Sequence, residues 1–589
     1  MAIKTETPLS LVLPDRVLQP SREGEKRNSL LHRLWKRWQF LQSARGQRCL
    51  AWGIILALLV IDSVLVGQHA LMRYQSYHAD AFDLGNMDQA VWNTLHGHFF
   101  RFTNRGLDWY GPPTRLGVHV EPILLLIAPL YLLHSGPETL LLLQTVALAL
   151  GGIPLFLLGL RRLPEFPLMA AASVAAYLST PEILGEALYD FHAVALATPL
   201  LLLALWALET RRYHWFVGAA VLAALCKEEV ALSLVPLGLV IAFWQGRPRL
   251  GAAICLLSIS WVALCFLVIL PHFNPQAAGA NNFWYRYDWL GGSPDTALKH
   301  VLMKPSLLLL PLQDPARRGY LAELLSTGGG LGLFSPILWL SALPDTAINI
   351  LSTHQEQFSG FFQYNAVILP YLMAATVSGI AALYRARRHV EFGKCSAILL
   401  KREYGALRTA RSTRATRMLC SITACWEAAV GHLPIPSRWI GPLVIAWLVV
   451  SAFWNLATTD ALVKPFWTAG SHPIPRQAQV NALLARVPAN ASVAATDSLD
   501  PHLSDRYTLY LMPDPQSYLA DYVALDLPDA LNVNRQADQQ MYEAMRISGS
   551  YRILGTAGQV VLLQRISLPQ PAQSQVQKKG WGAIIHFVQ

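Results

Sequence analysis

Charged residues are scarce in this chain. Asp, Glu, Lys and Arg make up 14% of its 589 residues, whereas about 25% is usual for a soluble globular protein. Hydrophobic residues make up 53% of the chain, and its mean hydropathy is +0.33. This composition excludes an ordinary soluble protein.

The chain has only seven cysteines, and all of them lie in apolar or predicted cytoplasmic segments, which argues against a disulfide framework. The segments that we place outside the membrane, 74–117, 272–323 and 458–589, contain none. No zinc-ligand spacing is present either. The first 48 residues are polar and basic, which excludes a cleaved signal peptide, so we expect the first apolar segment to stay in the mature chain.

Long apolar runs are abundant instead. A helix needs about 20 apolar residues to cross a bilayer, and the runs predict roughly ten to twelve spans. The fold class is therefore predicted as an α-helical polytopic membrane protein. The clearest runs are Leu50–Met72, Thr139–Leu160, Pro167–Ile183, Val194–Leu208, Trp215–Trp244, Leu250–Leu270, Leu331–Leu351, Val367–Tyr384 and Trp439–Trp454.

The net charge of +10 comes from arginines and lysines in short segments between the apolar runs. Such segments are typical of the cytoplasmic side of a membrane protein. No basic region carries interleaved aromatic residues or a binding motif, so we expect no nucleic-acid partner. The basic residues gather in Arg22–Arg48, Arg161/Arg162, Arg211/Arg212, Arg247/Arg249 and Arg385–Arg417.

The topology depends on Val118–Leu133, a short apolar segment broken by Pro122 and Pro129. If this segment crosses the membrane, Arg161 and Arg162 come out on the external face. If it is re-entrant or interfacial, every arginine pair lies inside. We favour the second arrangement, because four basic loops agree with it.

On that topology the chain divides into five parts. Alternating short β-like runs and helical stretches predict a small α/β domain in the last part. The parts are a cytoplasmic arm (1–48), a transmembrane core (49–384) with external loops 73–117 and 272–322, a basic cytoplasmic segment (385–437), a last transmembrane helix (438–457) and an extracytoplasmic domain (458–589).

The acidic stretch HADAFDLGNMDQAVWNTLHGHFF, His78–Phe100, directly follows the first apolar run. Carboxylates at a membrane edge are unfavourable unless they face water, a partner or a substrate. Asp83 and Asp88 lie on different faces of a helix, so we expect only one to point into a site, with Gln89 beside them. Burial would raise the pKa of such a carboxylate unless a cation offsets it. The alternative is that Asp80 and Asp83 cap a helix.

Two further polar elements interrupt apolar sequence at predicted membrane boundaries. His119 begins the segment HVEP and is predicted to bind phosphate or assist a leaving group. An ordinary interfacial histidine is the alternative. Asp190 and His192 interrupt another apolar run. They are predicted to serve the site, or else to form a structural pair.

Two cations complete the set of candidate site residues. Lys227 precedes Glu228 and Glu229 deep in an apolar block, which predicts either phosphate binding or an internal ion pair. Arg286 lies in an aromatic segment, NNFWYRYDWLGGSP, where arginine is suited to phosphate and aromatic faces to sugar rings. An interfacial aromatic belt explains that segment equally well.

The chain carries, in this order, the motifs FDLGNMDQAVWNTLHG, HVEP, YDFH, KEE, QYNAVILP and, in the tail, PHLSDRYTLYLMPD and ADYVALD. Together they resemble the DUF2079 family of bacterial membrane proteins. Asn365 stands where that family often has a histidine. The family is itself similar to the GT-C glycosyltransferases, which use polyprenyl-phosphate sugars outside the cytoplasmic membrane.

The resemblance implies a GT-C-like core and an inverting glycosyltransferase in the bacterial cytoplasmic membrane. It would transfer a sugar from a polyprenyl-phosphate donor to an envelope glycan, lipid or protein. Asp83 matches the position of the catalytic Asp in the first external loop. His119, Asp190 and Lys227 match further positions loosely. Asp88 and Asp190 would position hydroxyls of the acceptor or donor, with Gln89 as a further substrate-binding residue. Lys227, His192 or Arg286 would stabilise the phosphate leaving group. No cofactor is required, although a divalent ion near the acidic groups is compatible with the residues.

Two other functions stay open at this point. A transporter or flippase would use buried Asp190, Lys227 and Glu228 as a substrate or proton path. A structural anchor would instead carry the external domain as an envelope-binding module. The sugar, the acceptor and the oligomeric state are not encoded in any motif that we recognise.

Overall fold

The computed structural model describes residues 43–105, 112–243, 245–274, 283–391, 436–469, 477–527 and 535–567. Most of the cytoplasmic arm 1–48 and most of the basic segment 385–437 lie outside the described residues. Helices dominate the described part, and a single sheet lies near the C-terminus. The prediction of a helical membrane protein with a C-terminal α/β domain is confirmed.

Sixteen α-helices, besides the single turn Leu124–Ile127, form the membrane part among the described residues. They are joined by 3₁₀ and π turns. They are α1 (Ala44–Gln75), α2 (Asn86–Leu95), α3 (Pro137–Leu150), α4 (Gly152–Arg162), α5 (Pro167–Leu178), α6 (Pro181–Leu188), α7 (Ala197–Glu209), α8 (Tyr213–Ala224), α9 (Val230–Phe243), α10 (Pro248–Leu264), α11 (Leu270–Phe273), α12 (Pro294–Met303), α13 (Pro315–Ser326), α14 (Trp339–Leu351), α15 (Ile368–Glu391) and α16 (Ser437–Ala469).

Five helical segments in the described part are long and apolar enough to cross a membrane, or six if the bent pair α5–α6 counts as one span. Four shorter apolar helices lie beside them. The expected ten to twelve spans are reached only if all of these segments cross. In the most apolar 18-residue window of each span, 89% of the residues are buried in α15, whereas 17% are buried in the span that includes α10. Helix α15 therefore lies at the centre of the bundle, and α10 presents its leucines to lipid.

The helices run between two ends of the bundle. At one end, Ile123 N–H donates to the carbonyl of Leu225 at 3.0 Å, between the loops that precede α3 and α9. At the other end, Arg162 pairs with Glu209 at 2.6 Å. We call these the loop end (residues 76–105, 112–135, 189–193, 225–229 and 363–365) and the arginine end (residues 161–166, 209–213, 245–249 and 385). The gathering of arginines at one end agrees with the expected charge distribution.

The segment Val118–Leu133 contains no helix of spanning length. It has one turn of α-helix, Leu124–Ile127, followed by a 3₁₀ turn, Ala128–Leu132. Pro122 and Pro129 explain the interruption, because proline removes a backbone donor and disfavours the preceding helical residue. This geometry favours the re-entrant or interfacial arrangement over a full span.

A glycine-rich segment breaks the bundle beside α15. Gly328, Gly329 and Gly330 all have positive φ angles, between 61° and 72°, which only glycine adopts without strain. The carbonyl of Gly329 accepts a hydrogen bond from the Trp447 indole N–H at 2.8 Å. Non-helical backbone at membrane depth needs such partners, because lipid offers none.

Within its described residues, 477–527 and 535–567, the C-terminal domain contains two helices and a five-stranded sheet, with strand order β2-β1-β3-β5-β4. Strands β1, β2 and β3 are parallel, and β4 and β5 pair antiparallel at the other edge. The alternation of short β-like runs and helical stretches that the sequence predicted is present in this domain. The elements are α17 (Gln477–Leu484), β1 (Val493–Ala495), β2 (Leu509–Leu511), β3 (Tyr522–Asp526), α18 (Arg535–Ile547), β4 (Tyr551–Ala557) and β5 (Val560–Arg565).

This domain packs directly on the loop end. Thr103 Oγ1 donates to the carbonyl of Leu509 at 2.7 Å and accepts from its N–H at 2.8 Å. Asn104 donates to Asp500 at 2.7 Å. Gly85 fits against Asp500 so closely that a Cβ there would lie 2.0 Å from its Oδ1. The docked domain therefore fixes the segment that carries Asp83.

Candidate functional site

Asp83 lies in a short π-helix, Ala81–Gly85, at the loop end. The side chain of Asp80 caps this helix by accepting from Phe82 N–H, so capping falls to Asp80 rather than to Asp83. Asp83 is 26% exposed. Its carboxylate accepts a hydrogen bond from the Tyr189 hydroxyl at 2.9 Å and contacts His192 Nε2 at 3.2 Å.

The two ring nitrogens of His192 meet two acceptors. Nε2 faces the carboxylate of Asp83, and Nδ1 lies 3.0 Å from the carbonyl oxygen of Asp190. The ring is therefore held between the Asp83 carboxylate and the Asp190 backbone. Burial alone would raise the pKa of Asp83, but His192 and the Tyr189 hydroxyl hold it below its ordinary value. Asp83 is therefore ionised at neutral pH.

Asp190 lies behind this pair and is 1% exposed. Its carboxylate forms an ion pair with Arg73 and accepts the backbone N–H of Asp80 at 2.8 Å. The Asp190 side chain thus ties the end of α1 to the start of the π-helix. Asp190 is itself buried, and it helps to hold Asp83 and His192 in place.

Asp88 and Gln89 point away from Asp83, into the contact with the C-terminal domain. Both are fully buried. The Asp88 carboxylate accepts from Ser504 at 2.6 Å and from Tyr131. Gln89 donates to the carbonyl of Arg506 at 3.1 Å. These two candidates therefore serve the domain contact and not the exposed carboxylate.

His119 lies beneath the aromatic segment, stacked on Phe283 with ring centroids 5.1 Å apart. Its Nδ1 contacts Glu228 at 2.8 Å. Burial, together with the positive charge of Lys227, lowers the pKa of His119 to about 3. The imidazole is therefore neutral at pH 7 and provides no positive charge for a phosphate.

Lys227 lies in the turn between α8 and α9, at the loop end rather than deep in the membrane as expected. Its ammonium pairs with Glu229 at 2.6 Å, and its side chain is 14% exposed. Burial disfavours the charge, but Glu229 and Glu228 hold the pKa of Lys227 above its ordinary value. The expected internal ion pair is thus present between Lys227 and Glu229, and both side chains keep a small exposed fraction at the loop end.

Arg286 lies over the Phe283 ring, 4.6 Å from its centroid, and donates to the Tyr364 hydroxyl at 3.4 Å. Burial raises the pKa of Tyr364. The charges of Arg286 and Lys227 oppose that rise, and the charge of Asp83 adds to it. The charges of Arg286, Lys227 and Asp83 therefore all act on Tyr364.

Several residues of this region were not expected to serve the site. Arg73 lies at the end of an apolar helix, and Tyr189 opens the motif YDFH, in which only Asp190 and His192 were singled out. Arg115 forms a bidentate contact with Glu121 at 2.8 and 3.1 Å and donates to Asn86 at 2.9 Å. An arginine inside or beside an apolar run is the one sequence signal that points to such residues, because it requires a partner.

In the described ranges, no group of three or more His, Cys, Asp or Glu side chains is arranged to hold a metal ion. Asp80, Asp83 and Asp190 are each engaged by protein donors. The carboxylates around the site are thus held by hydrogen bonds and ion pairs.

Comparisons with known proteins bear mainly on the membrane core. A family model described as "Predicted membrane protein (DUF2079)" matches residues 73–402. No curated protein matches the chain. Crystal structures of ArnT from Cupriavidus metallidurans are similar in outline, one bound to undecaprenyl phosphate and one in the apo state. The identities are 14% and 13%, the TM-scores are 0.46 and 0.45, and each match covers 88% of this chain and 99% of ArnT. TM-scores of this size do not establish a common fold.

Proposed function

This chain belongs to the DUF2079 family of predicted membrane proteins, and we propose that it is a membrane glycosyltransferase that uses a polyprenyl-phosphate sugar. The acceptor would be a hydroxyl of an envelope glycan, lipid or protein at the outer face of the cytoplasmic membrane. The observation that carries the proposal is the ionised, partly exposed Asp83 side chain, whose charge acts on Tyr364 together with the charges of Lys227 and Arg286.

Asp83 would act as the general base. Its carboxylate takes the proton of the acceptor hydroxyl as the hydroxyl oxygen bonds to the anomeric carbon. The bond from that carbon to the phosphate oxygen breaks, the anomeric configuration inverts, and the lipid phosphate leaves with the electron pair. His192 and Tyr189 orient Asp83 and keep it ionised, so we assign His192 to positioning rather than to phosphate binding.

Lys227 and Arg286 would receive the charge that develops on the leaving phosphate. Cations fixed before the reaction stabilise such charge without further reorganisation. Lys227 would exchange Glu229 for a phosphate oxygen, and Arg286 would exchange its contact with Tyr364. A lipid-linked donor is also compatible with a site at the end of a bundle whose outer helices face lipid.

The aromatic segment and the C-terminal domain supply surfaces for the sugar and the acceptor. Tyr285 and Trp289 are 59% and 37% exposed, and aromatic faces of this kind stack on sugar rings. The C-terminal domain would orient the acceptor, since it covers the segment that precedes and follows Asp83. Its hydrogen bonds to Thr103 and Asn104 place it next to the site.

The proposal is tested with purified protein in vesicles that contain a panel of radiolabelled polyprenyl-phosphate sugars. Asp83→Asn keeps the size of the side chain but removes the base, and it should lower turnover about 100-fold or more. Asp295→Asn, on an exposed position of α12, is the matched control and should keep wild-type turnover. Full turnover in Asp83→Asn would exclude this mechanism. Movement of the labelled lipid across the bilayer without a new covalent product would favour the transporter.

A further inference from the structure

A cavity of about 130 Å³ opens at the arginine end of the bundle, far from Asp83. Helices α7, α9 and α15 all begin at the loop end. The second halves of α7 and α9 line the cavity, together with α15 from Ala374 to Arg385. Helix α4 reaches it as the second half of a 26-residue span. At 1.5 Å per residue such a span is about 39 Å long, so the charged end of the cavity and Asp83 lie at opposite ends of the bundle.

The wall of the cavity is amphipathic. Most of its side chains are leucine, valine, phenylalanine, alanine or proline, contributed by five different segments. The polar groups are two arginines, one glutamate, one glutamine and two serines: Arg162, Arg385, Glu209, Gln245, Ser335 and Ser378. With two positive charges against one negative charge, the lining suits an anion that carries an apolar part.

Arg162 is only partly satisfied by the protein. Its terminal nitrogen pairs with Glu209 at 2.6 Å. Its Nε is shielded from solvent and has no hydrogen-bond partner among the residues that the structure describes. A shielded donor without a partner is unfavourable by about 1–3 kcal/mol, so an acceptor supplied from outside the chain would stabilise this arrangement.

We propose that this cavity binds the phosphate of an anionic membrane phospholipid. The phosphate would accept from the guanidinium groups of Arg162 and Arg385, and the adjoining methylene groups would lie on the apolar wall. An apolar cavity of about 150 Å³ in another protein takes up benzene, so there is room for a headgroup phosphate and a few methylenes. The rest of each acyl chain would stay in the bilayer.

Basic pockets between transmembrane helices on the cytoplasmic side are suited to such headgroups. The bound lipid would also support the glycine-rich segment, because Phe334 to Leu338, which follow the three left-handed glycines, form one wall of the cavity. This role is independent of the chemistry proposed at Asp83.

Native mass spectrometry of the delipidated full chain tests the site, with phosphatidylglycerol, phosphatidylcholine and inorganic phosphate as separate probes. We expect one phosphatidylglycerol to be retained more tightly than phosphatidylcholine. Arg385→Gln should weaken that retention about tenfold or more, as expected when a charge-assisted hydrogen bond is lost. Arg161→Gln, at an exposed neighbour of Arg162 outside the cavity lining, is the matched control and should retain the lipid as wild type does.

Glu209→Gln separates binding from folding. It removes an ion pair and so lowers stability, but it also removes the one negative charge of the lining and should tighten the retention of phosphatidylglycerol. Equal retention of the two lipids, or equal retention by Arg385→Gln and Arg161→Gln, would overturn the proposal. Displacement of the lipid by inorganic phosphate alone would assign the site to free phosphate and would overturn it as well.

Discussion

His502 makes the contact between the C-terminal domain and the bundle sensitive to acid. The ring lies on Tyr74 and Tyr77, with centroid distances of 4.2 and 4.1 Å. Its Nε2 lies 3.0 Å from the carbonyl of Tyr74, to which it donates as a neutral imidazole. Burial lowers the pKa of His502 to about 4.

The size of the effect follows from the two protonation equilibria. A histidine freed from this contact has a pKa of about 6.5, so below that pH the undocked domain binds a proton that the docked domain excludes. The contribution of His502 to docking is therefore complete above pH 6.5 and declines as the pH falls toward 4. Between pH 7 and pH 5 the loss is about 2 kcal/mol, or roughly a thirtyfold change in the opening equilibrium.

Two carboxyls at the same contact act in the opposite direction. Burial raises the pKa of Asp88 and of Asp500 well above the ordinary value, and neighbouring carboxylates add to both shifts. These groups take up protons on docking, so their contributions are present at low pH and are lost as the pH rises. The pH dependence of the wild type alone is the sum of both effects, and a variant is needed to separate them.

His502→Gln provides that separation, because the amide keeps a donor for the Tyr74 carbonyl but does not titrate. Amide hydrogen exchange in residues 493–511 measures the opening free energy at each pH. Wild type should lose about 2 kcal/mol more than the variant between pH 7 and pH 5. If the two proteins gave parallel curves, His502 would not be the source of the acid sensitivity, and the reasoning from its burial would be wrong.

Three further substitutions test other contacts. Gly85→Ala places a Cβ 2.0 Å from Oδ1 of Asp500 and should weaken docking by about 1–3 kcal/mol, measured as faster exchange in residues 493–511. Tyr189→Phe removes a hydrogen bond that lowers the pKa of Asp83, so the acid limb of the activity profile should move to higher pH by up to about one unit; an unmoved limb would contradict this role. Gly329→Ala puts a side chain on a residue with φ +67° and should cost about 1–2 kcal/mol, seen as a lower thermal midpoint in detergent.

Local pattern was enough to predict the elements of the fold. Apolar runs of membrane length predicted the helical bundle, and alternating runs predicted the five strands of the C-terminal domain. Val118–Leu133 was less certain, because its hydropathy alone fits a span whereas its two prolines do not. The structure shows one short helical turn there, as the prolines require.

The candidate site was predicted only in part, because its geometry depends on contacts between distant segments. The position of Asp83 in a family-like motif was visible, but the support it receives from Asp190 and Arg73 was not, since these two residues lie 117 positions apart. Asp88 has the same residue type and the same neighbourhood in sequence. Only its contact with Ser504, 416 positions away, shows that it is buried under another domain.

Lys227 illustrates the same limit at shorter range. Hydropathy placed it in the middle of an apolar block, where a charge would have to be buried in the membrane. The structure divides the block into α8 and α9 and puts Lys227 in the turn between them. Hydropathy averages over a window, and so it does not reveal where a chain reverses direction.

The hydrogen bonds between the Asp83 segment and the C-terminal domain also determine when the site is completed during synthesis. Ser504 leaves the ribosome 416 residues after Asp88, long after the first helices have entered the membrane. Until then Gln89 and Thr103 lack their partners on Arg506 and Leu509. In a nascent chain, therefore, the segment that carries Asp83 lacks part of its hydrogen bonds. It reaches its final geometry only after the C-terminal domain has been synthesised and folded.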